Sequence, residues 1–191
     1  MYGQQISMAR SIPSKYSAFS LSELTSTPTF DGVRSYADNI KSHLSKKRGL
    51  LLVGANGIGK TGALASIHNL LATVRPMWGV KERMWCRARD IAKTYEYGHF
   101  DETFDEPVDE LYNSCAWLVI DELGREADVK NFEHRMHSLL SSRRDNMKIT
   151  SFTSNLSLSQ IRNIYGEGFY SILHETSAFI IECDGPDRRM L

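Results

Sequence analysis

The chain has 191 residues, of which 41% are apolar and 24% charged, which is typical of a folded globular protein and argues against extensive disorder. Its 23 Lys and Arg residues balance its 23 Asp and Glu residues, so no overall charge attracts nucleic acids or membranes, and such binding requires local patches. Three widely spaced cysteines lack metal-ligand spacing and are typical of a reducing compartment. With no leader and no membrane-spanning apolar run, we expect a cytoplasmic protein that does not enter membranes.

The first half of the chain alternates predicted helices with short apolar strands. Ser20 and Glu23 have the spacing of a capping box, which predicts a short helix there. The apolar spacing over 33–44 predicts an amphipathic helix. Further patterns predict a strand over 50–53, a helix over 63–71, a strand over 84–87 and a helix from 90 to about 97.

The second half continues this alternation. Glu106 and Pro107 predict a helix start, because proline is favoured in the first turn of a helix. Ser157 and Gln160 have capping-box spacing at another helix start. The remaining patterns predict strands over 116–120, 149–154 and 178–182 and a helix that begins at 132 and ends near Arg143 and Arg144. Strands alternating with helices are typical of an α/β domain around a mainly parallel sheet, here with about five strands.

The strongest motif is Gly54-Ala55-Asn56-Gly57-Ile58-Gly59-Lys60-Thr61, which fits GxxxxGK[ST] at every fixed position. It lies between a predicted strand and a helix start, where backbone N–H groups and the helix dipole attract phosphate. In such a loop Lys60 reaches the β- and γ-phosphates, and the Thr61 hydroxyl binds Mg²⁺. A glycine-rich turn without a ligand is the alternative, but the flanking strand and helix favour a site for ATP and Mg²⁺.

Polar residues follow two later strands. Asp121 and Glu122 end the strand over 116–120, so Asp121 is suited to hold Mg²⁺ and Glu122 to polarise an attacking water. Asn155 follows the strand over 149–154, where its amide can orient that water. Taken alone, the acidic pair is also compatible with an exposed strand end, and Asn155 with a helix cap. Together with the phosphate loop, these residues predict nucleotide hydrolysis.

The phosphate loop, WLVIDELG, SSRRDNMKITSFTSN and the ending GPDRR together resemble the AAA+ ATPases of the DnaC/IstB group, which are helicase loaders and transposition helper ATPases. The resemblance covers roughly 12–191 and leaves 1–11 as an N-terminal tail. It implies an α/β P-loop NTPase with a three-layer sandwich, a central parallel sheet and no C-terminal lid domain. By the same resemblance, Asn155 is the sensor-1 residue and Arg189 is the sensor-2 arginine that contacts the γ-phosphate.

One segment departs from the pattern of the group. After sensor 1, the group usually carries an arginine that acts on the nucleotide of a neighbouring subunit, but Gly168 and Ile172 fill the arginine positions here. Arg143, Arg144 or Arg162 would have to take over this role, although none matches the motif position. The sequence therefore predicts hydrolysis that depends little on neighbouring subunits.

The resemblance also implies contacts with single-stranded DNA. Tyr97, Phe100, Lys130 and Phe132 fall in the regions by which group members grip DNA, and aromatic and basic side chains suit bases and phosphates. The alternative for Phe132, as for Tyr95, is a position in the helix core.

The expected function is an ATP-binding and ATP-hydrolysing accessory of DNA replication, a helicase loader that forms a homo-oligomer in the ATP state. Its partners would be single-stranded DNA and a replicative DNA helicase. A transposition helper ATPase with a transposase partner is one alternative, and an ATP-binding interaction module with little hydrolysis is another. A small nucleotide or metabolite kinase is a further class, but such kinases need no water-activating glutamate like Glu122.

Overall fold

The computed structural model describes residues 12–24, 27–76, 82–97, 108–126 and 132–187. Within these residues, five strands form one sheet in which every neighbouring pair is parallel. The strands are β1 (Gly49–Gly54), β2 (Arg83–Arg87), β3 (Trp117–Leu123), β4 (Ile149–Ser154) and β5 (Ser177–Cys183). Their order across the sheet is β2-β3-β4-β1-β5. The predicted five-stranded parallel sheet is confirmed.

Helices connect the strands and cover both faces of the sheet. They are α1 (Pro28–Asp38), α2 (Ile40–Ser45), α3 (Lys60–Val74), α4 (Ala88–Tyr97), α5 (Val108–Asn113), α6 (Phe132–Asp145) and α7 (Leu158–Thr176). Buried Phe30 and Ile67 anchor α1 and α3 in one apolar core, and Met136 and Ile161 anchor α6 and α7 in a second. None of these helices is long and apolar enough to cross a membrane.

Strand β1 separates the two cores. Leu50 and Leu52 belong to the core with α1 to α3, whereas Leu51 and Val53 belong to the core with α4 to α7. Side chains alternate between the faces of a strand, so a strand covered on both faces is apolar throughout. This arrangement confirms the predicted three-layer sandwich.

Strand β4 is also completely buried, although most of its residues carry hydroxyl groups. Three of these hydroxyls bond neighbouring strands: Ser151 Oγ accepts from Leu50 N at 3.0 Å, Ser154 Oγ donates to Leu123 O at 2.7 Å, and Thr153 reaches Asp121. Buried hydroxyl groups are costly only when they lack a partner. The polar sequence of β4 is therefore compatible with a position in the middle of the sheet.

Two helices differ from their predicted extents. The helix expected over 33–44 begins at Pro28, which occupies the first turn, and Asn39 separates its two parts, α1 and α2. Ser20 and Glu23 form the expected capping box, with Ser20 N donating to Glu23 Oε2 at 2.7 Å, but the turn that they close is a short 3₁₀ helix. At the start of α7, Ser157 and Gln160 form the capping box that the sequence predicted.

The parallel topology brings the predicted site residues to one edge of the sheet. The carboxyl end of β1 leads into the phosphate loop, that of β3 carries Asp121 and Glu122, and that of β4 leads to Asn155. Ligands of open parallel α/β sheets bind at this edge. The edge is therefore where a nucleotide site is expected.

Candidate nucleotide-binding and hydrolysis site

The phosphate loop leaves β1 at Gly54 and enters α3 at Lys60. Ile58 is buried and anchors the middle of the loop in the core that also contains residues of α3. Gly57 has a φ of 80°, which glycine adopts without strain. A Cβ at this position would lie 1.8 Å from Asp187 Oδ1, so Gly57 also leaves room for the carboxylate of a segment that follows β5.

Lys60 is buried and turns its amine toward the loop that precedes it. Lys60 Nζ donates to Gly54 O and Ala55 O, both at 2.6 Å, and to Asn155 Oδ1 at 3.0 Å. The ammonium group thus lies between the phosphate loop and the predicted sensor-1 residue. This is the place where a phosphoryl group has to be held if Asn155 is to act on it.

The predicted Mg²⁺ ligands also lie together. Thr61 Oγ1 donates to Asp121 Oδ1 at 3.1 Å, and Thr153 Oγ1 donates to the same oxygen at 2.5 Å. Asp121 is 2% exposed, and burial raises the pKa of its carboxyl group, while the two hydroxyl bonds oppose that rise. Among the described residues, no cation forms an ion pair with it. A buried carboxylate whose hydrogen-bond partners are neutral hydroxyls fits a divalent cation.

Glu122 stands in an irregular part of β3. The register with β4 shifts between Ile120 and Leu123, and Glu122 has a φ of 61°, which is unusual for a residue with a side chain. Glu122 N donates to Thr153 Oγ1 at 2.9 Å, which holds the bulge in place. Bulges redirect side chains near active sites. Here the bulge lets Asp121 and Glu122, although adjacent in sequence, serve the same site.

The turn after β3 brings a guanidinium to the loop. Arg125 Nη1 lies 3.3 Å from Glu122 Oε1, and Arg125 Nη2 donates to Asn56 Oδ1 at 2.8 Å. Gly124 has a φ of 97°, and a Cβ at this position would lie 2.4 Å from Leu156, so a residue with a side chain would not fit there. Arg125 therefore connects the predicted water-activating carboxylate to the phosphate loop.

The predicted sensor-2 arginine and the predicted DNA contacts mostly lie outside the described residues, and one of these contacts is buried. Arg189, the predicted sensor-2 arginine, lies outside the described residues, as do Phe100, Lys130 and the side chain of Tyr97. Phe132 is 3% exposed and belongs to the core beside α7, so its ring is covered by other side chains and the predicted DNA contact is wrong for this residue.

The three arginines that the sequence suggested as substitutes lie in different environments, and neither position that lacks an arginine carries an exposed side chain. Ile172 is buried in the core, and a Cβ on Gly168 would lie 3.0 Å from His137 Nε2. Arg143 is completely buried. Arg144 and Arg162 are at the surface, in ion pairs with acidic residues: Arg144 pairs with Asp145 and Glu175, and Arg162 pairs with Glu167.

The sequence did not point to Thr153, Arg125 or Asp187. Thr153 is one of several hydroxyl residues on β4, and only the register of β4 with β3 singles it out. Arg125 follows the acidic pair closely, which is a weak signal, since an arginine three residues after a glutamate is common on surfaces. Asp187 entered the family resemblance only as one residue of the GPDRR segment. Its approach to Gly57 follows from the course of the chain after β5.

The sequence matches no protein-family model and no curated protein. Solved structures are nevertheless similar. The structure of DnaI is 22% identical, with a TM-score of 0.69 over 93% of this chain and 94% of that one. The DnaC helicase loader is 18% identical, with a TM-score of 0.74 over 90% and 100%. The replication initiator DnaA bound to AMPPCP and single-stranded DNA is 15% identical, with a TM-score of 0.69 over 91% and 51%.

These similarities confirm, at the level of the fold, the resemblance that the motifs indicated. Two of the three structures are named for helicase loading or replication initiation, and one of them holds an ATP analogue. In each comparison the similarity extends over at least 90% of this chain, which includes the sheet and its flanking helices. The chain therefore has the AAA+ fold of DnaC, DnaI and DnaA.

Proposed function

We propose that this protein is a magnesium-dependent ATPase that serves DNA replication as a DnaC-like helicase loader. One observation carries the proposal: the ends of β1, β3 and β4 bring Lys60, Asp121 and Asn155 to one site, with Lys60 Nζ 3.0 Å from Asn155 Oδ1. A nucleoside triphosphate and its metal require the cation, the carboxylate and the amide that these three side chains supply.

The residues divide the chemistry of hydrolysis among them. Lys60 and the loop N–H groups would hold the phosphates, and Thr61 and Asp121 would hold Mg²⁺, which would supply positive charge beside the bound triphosphate. Glu122 accepts a proton from water, whose oxygen attacks the γ-phosphorus. The bond to the β,γ-bridging oxygen breaks, and its electron pair leaves with ADP. Asn155 orients the water or the γ-phosphate.

The replication role is supported by the proteins that share the fold. DnaC is described as a helicase loader, and DnaA is described in complex with single-stranded DNA. By this similarity we propose that the ATP state is a homo-oligomer that binds single-stranded DNA and a replicative DNA helicase, and that hydrolysis releases them. Nucleotide-dependent release is a general way to make binding transient.

Two variants test the ATPase. Lys60→Ala should abolish ATP binding, because the loop loses its cation. Glu122→Gln should bind ATP normally and hydrolyse it at least ~10²-fold more slowly, because the base is lost. Fluorescent-nucleotide binding and phosphate release provide the two measurements. Equal turnover by wild type and Glu122→Gln would show that Glu122 is not the base.

The partner is tested with the trapped ATP state. Glu122→Gln with ATP, used as bait in an extract, should retain a hexameric DNA helicase, whereas Lys60→Ala should not. Retention of a transposase would instead support the transposition helper. For DNA, anisotropy of a labelled oligonucleotide should show binding that requires ATP and is lost in a Tyr97→Ala/Phe100→Ala double variant that still binds ATP.

A second candidate function is an interaction module that binds ATP but hardly hydrolyses it. The observation that favours it is the absence of an arginine at positions 168 and 172, where Ile172 is buried. In that case the wild type would bind ATP with Mg²⁺ yet release phosphate no faster than Glu122→Gln. Partner retention would then depend on ATP binding alone.

A further inference from the structure

Arg125 is the described arginine that contacts both the phosphate loop and the predicted base. We propose that Arg125 supplies, within the same chain, the guanidinium that stabilises charge on the γ-phosphate during hydrolysis. The inference rests on the proposed ATPase function and assigns the role that Gly168 and Ile172 cannot fill. Arginines in this role increase hydrolysis strongly whether they come from the same chain or from a partner.

The first support is position. Arg125 Nη2 is 2.8 Å from Asn56 Oδ1 in the phosphate loop, and Arg125 Nη1 is 3.3 Å from Glu122 Oε1. The γ-phosphate of a bound nucleotide lies between the loop that holds it and the base that activates its attacking water. A guanidinium that bonds both groups is therefore next to the place where charge develops.

The second support is a fixed backbone beneath a movable side chain. Arg125 N donates to Glu122 O at 3.2 Å, and Gly124 N donates to both carboxylate oxygens of buried Glu126, at 3.1 and 2.9 Å. The Arg125 side chain is 45% exposed. The turn holds the Arg125 backbone in place, while the guanidinium at the end of the side chain is free to change its hydrogen-bond partner. Such preorganisation lowers the cost of placing a charge at a reacting group.

The third support is the exchange of partners that a phosphate would cause. An exposed ion pair such as that between Arg125 and Glu122 contributes little, because water screens it. A phosphate offers a guanidinium two parallel charge-assisted bonds. On ATP binding, Arg125 therefore moves from Glu122 to the γ-phosphate, and the Glu122 carboxylate becomes available to the water. Arg125 thus stabilises the γ-phosphate and releases the Glu122 carboxylate only when that phosphate is bound.

The opposite role predicts the opposite result. If Arg125 only restrained Glu122, its removal would free the base and increase turnover. In our proposal, Arg125→Ala binds Mg²⁺-ATP within about threefold of wild type but hydrolyses it roughly 10²- to 10³-fold more slowly in single-turnover measurements. Arg125→Lys should recover only part of the rate, since an ammonium lacks the planar fork.

A matched control is available in α1. Arg34 Nη1 pairs with Asp31 Oδ1 at the same distance of 3.3 Å and the same spacing of three residues, on a helix that carries no predicted site residue, and Arg34 Nη2 also donates to Leu24 O at 2.8 Å. Arg34→Ala should hydrolyse ATP at the wild-type rate. Thermal unfolding of both variants separates a loss of fold from a loss of chemistry.

Mixing two inactive variants distinguishes action within a chain from action between chains. Arg125→Ala retains the base, and Glu122→Gln retains the arginine. If Arg125 acted on a neighbouring subunit, the mixture would regain activity; our proposal predicts none. Recovery in the mixture, or an Arg125→Ala rate equal to or above wild type, overturns the inference. A wild type no faster than Glu122→Gln would overturn the ATPase proposal itself, and the inference with it.

Discussion

Thr153 is the residue that connects Asp121, the proposed metal ligand, with Glu122, the proposed base. Its hydroxyl donates to Asp121 and accepts from Glu122 N, and the side chain is almost completely buried. Thr153→Val keeps the shape and removes both bonds. Groups that orient a metal ligand typically contribute 10- to 100-fold in affinity or activity, so we expect roughly that loss in Mg²⁺-dependent turnover.

Thr153→Ser is the matched control, because it restores the hydroxyl without the methyl group. Turnover titrated with Mg²⁺ should place it near wild type, while Thr153→Val needs more Mg²⁺ and still turns over slowly. Equal Mg²⁺ requirements in both variants would contradict the positioning role.

Glu126 is a buried carboxyl group whose pKa is raised to about 7, mainly by burial, against the opposing effect of backbone N–H groups. The folded state therefore holds a proton that the unfolded chain has released, over the interval between pH 4.5 and about 7. Stability falls as the pH rises through this interval, and the full cost is present above it. Glu126→Gln lacks this cost and should be more stable at pH 8 by up to about 3 kcal/mol.

Denaturant unfolding at pH 5 and pH 8 checks this prediction. The difference between Glu126→Gln and wild type should be small at pH 5 and large at pH 8. Glu133→Gln, at an exposed position in α6, should show no such change. A constant difference between the variant and wild type would contradict the raised pKa.

Most residues of the candidate site could be predicted because their spacing is set by local structure. The phosphate loop must turn and enter a helix within a few residues, so Gly54–Lys60 leaves a fixed pattern. Thr153 and Arg125 leave none, because they reach the site through a strand register and a bulge that depend on the whole sheet. Phe132 was assigned to DNA on position alone, whereas the packing of α6 buries it.

Helix α6 and strand β4 are joined by a buried guanidinium. Arg143 is completely buried and donates to Thr150 Oγ1 and to the backbone oxygens of Tyr112, Cys115 and Ile149, and no carboxylate pairs with it among the described residues. Arg143→Met fills the space but removes the guanidinium donor from all three backbone carbonyls. Each unsatisfied buried group costs about 1–3 kcal/mol, so the free energy of unfolding should fall by roughly 3–5 kcal/mol.

Chemical denaturation measures this loss, and Arg143→Lys should recover part of it, since an ammonium can still donate to some of these oxygen acceptors. Arg144→Ala, which removes only surface ion pairs, should change stability by less than about 1 kcal/mol. A loss below 1 kcal/mol in Arg143→Met would show that the buried bonds contribute little.

Helices and strands were predictable where apolar spacing is regular, as in β1 and α6. The extent of 149–154 was also predicted correctly, but its central place in the sheet was not, since Thr and Ser make up most of this strand. The hydrogen bonds that satisfy these buried hydroxyl groups depend on the neighbouring strands, so the local sequence does not reveal them. The start of α1 was missed because the apolar spacing begins after the proline that opens the helix.

For the molecule as a whole, the buried Ile172 and the surface pairs of Arg144 and Arg162 predict how hydrolysis depends on concentration. Among the described residues, no arginine occupies either motif position at 168 and 172, so we expect turnover per subunit to change less than about threefold from dilute to concentrated protein. An arginine supplied in trans contributes ~10³-fold or more, which would produce a steep rise. Phosphate release measured over a dilution series distinguishes these two dependences. A steep rise with concentration would contradict the prediction and make Arg144 and Arg162 the candidates for an arginine that acts on a neighbouring subunit.

The positive φ of Glu122 implies a trade-off between stability and activity. A non-glycine residue held in this conformation costs about 1–3 kcal/mol, which glycine would not incur. Glu122→Gly should therefore unfold at a higher temperature than wild type, although it loses the base, and its exposed bond to Arg125 should matter little. If so, the proposed base lowers the stability of the fold, and a more stable variant at this position would be obtained only by giving up the proposed hydrolysis.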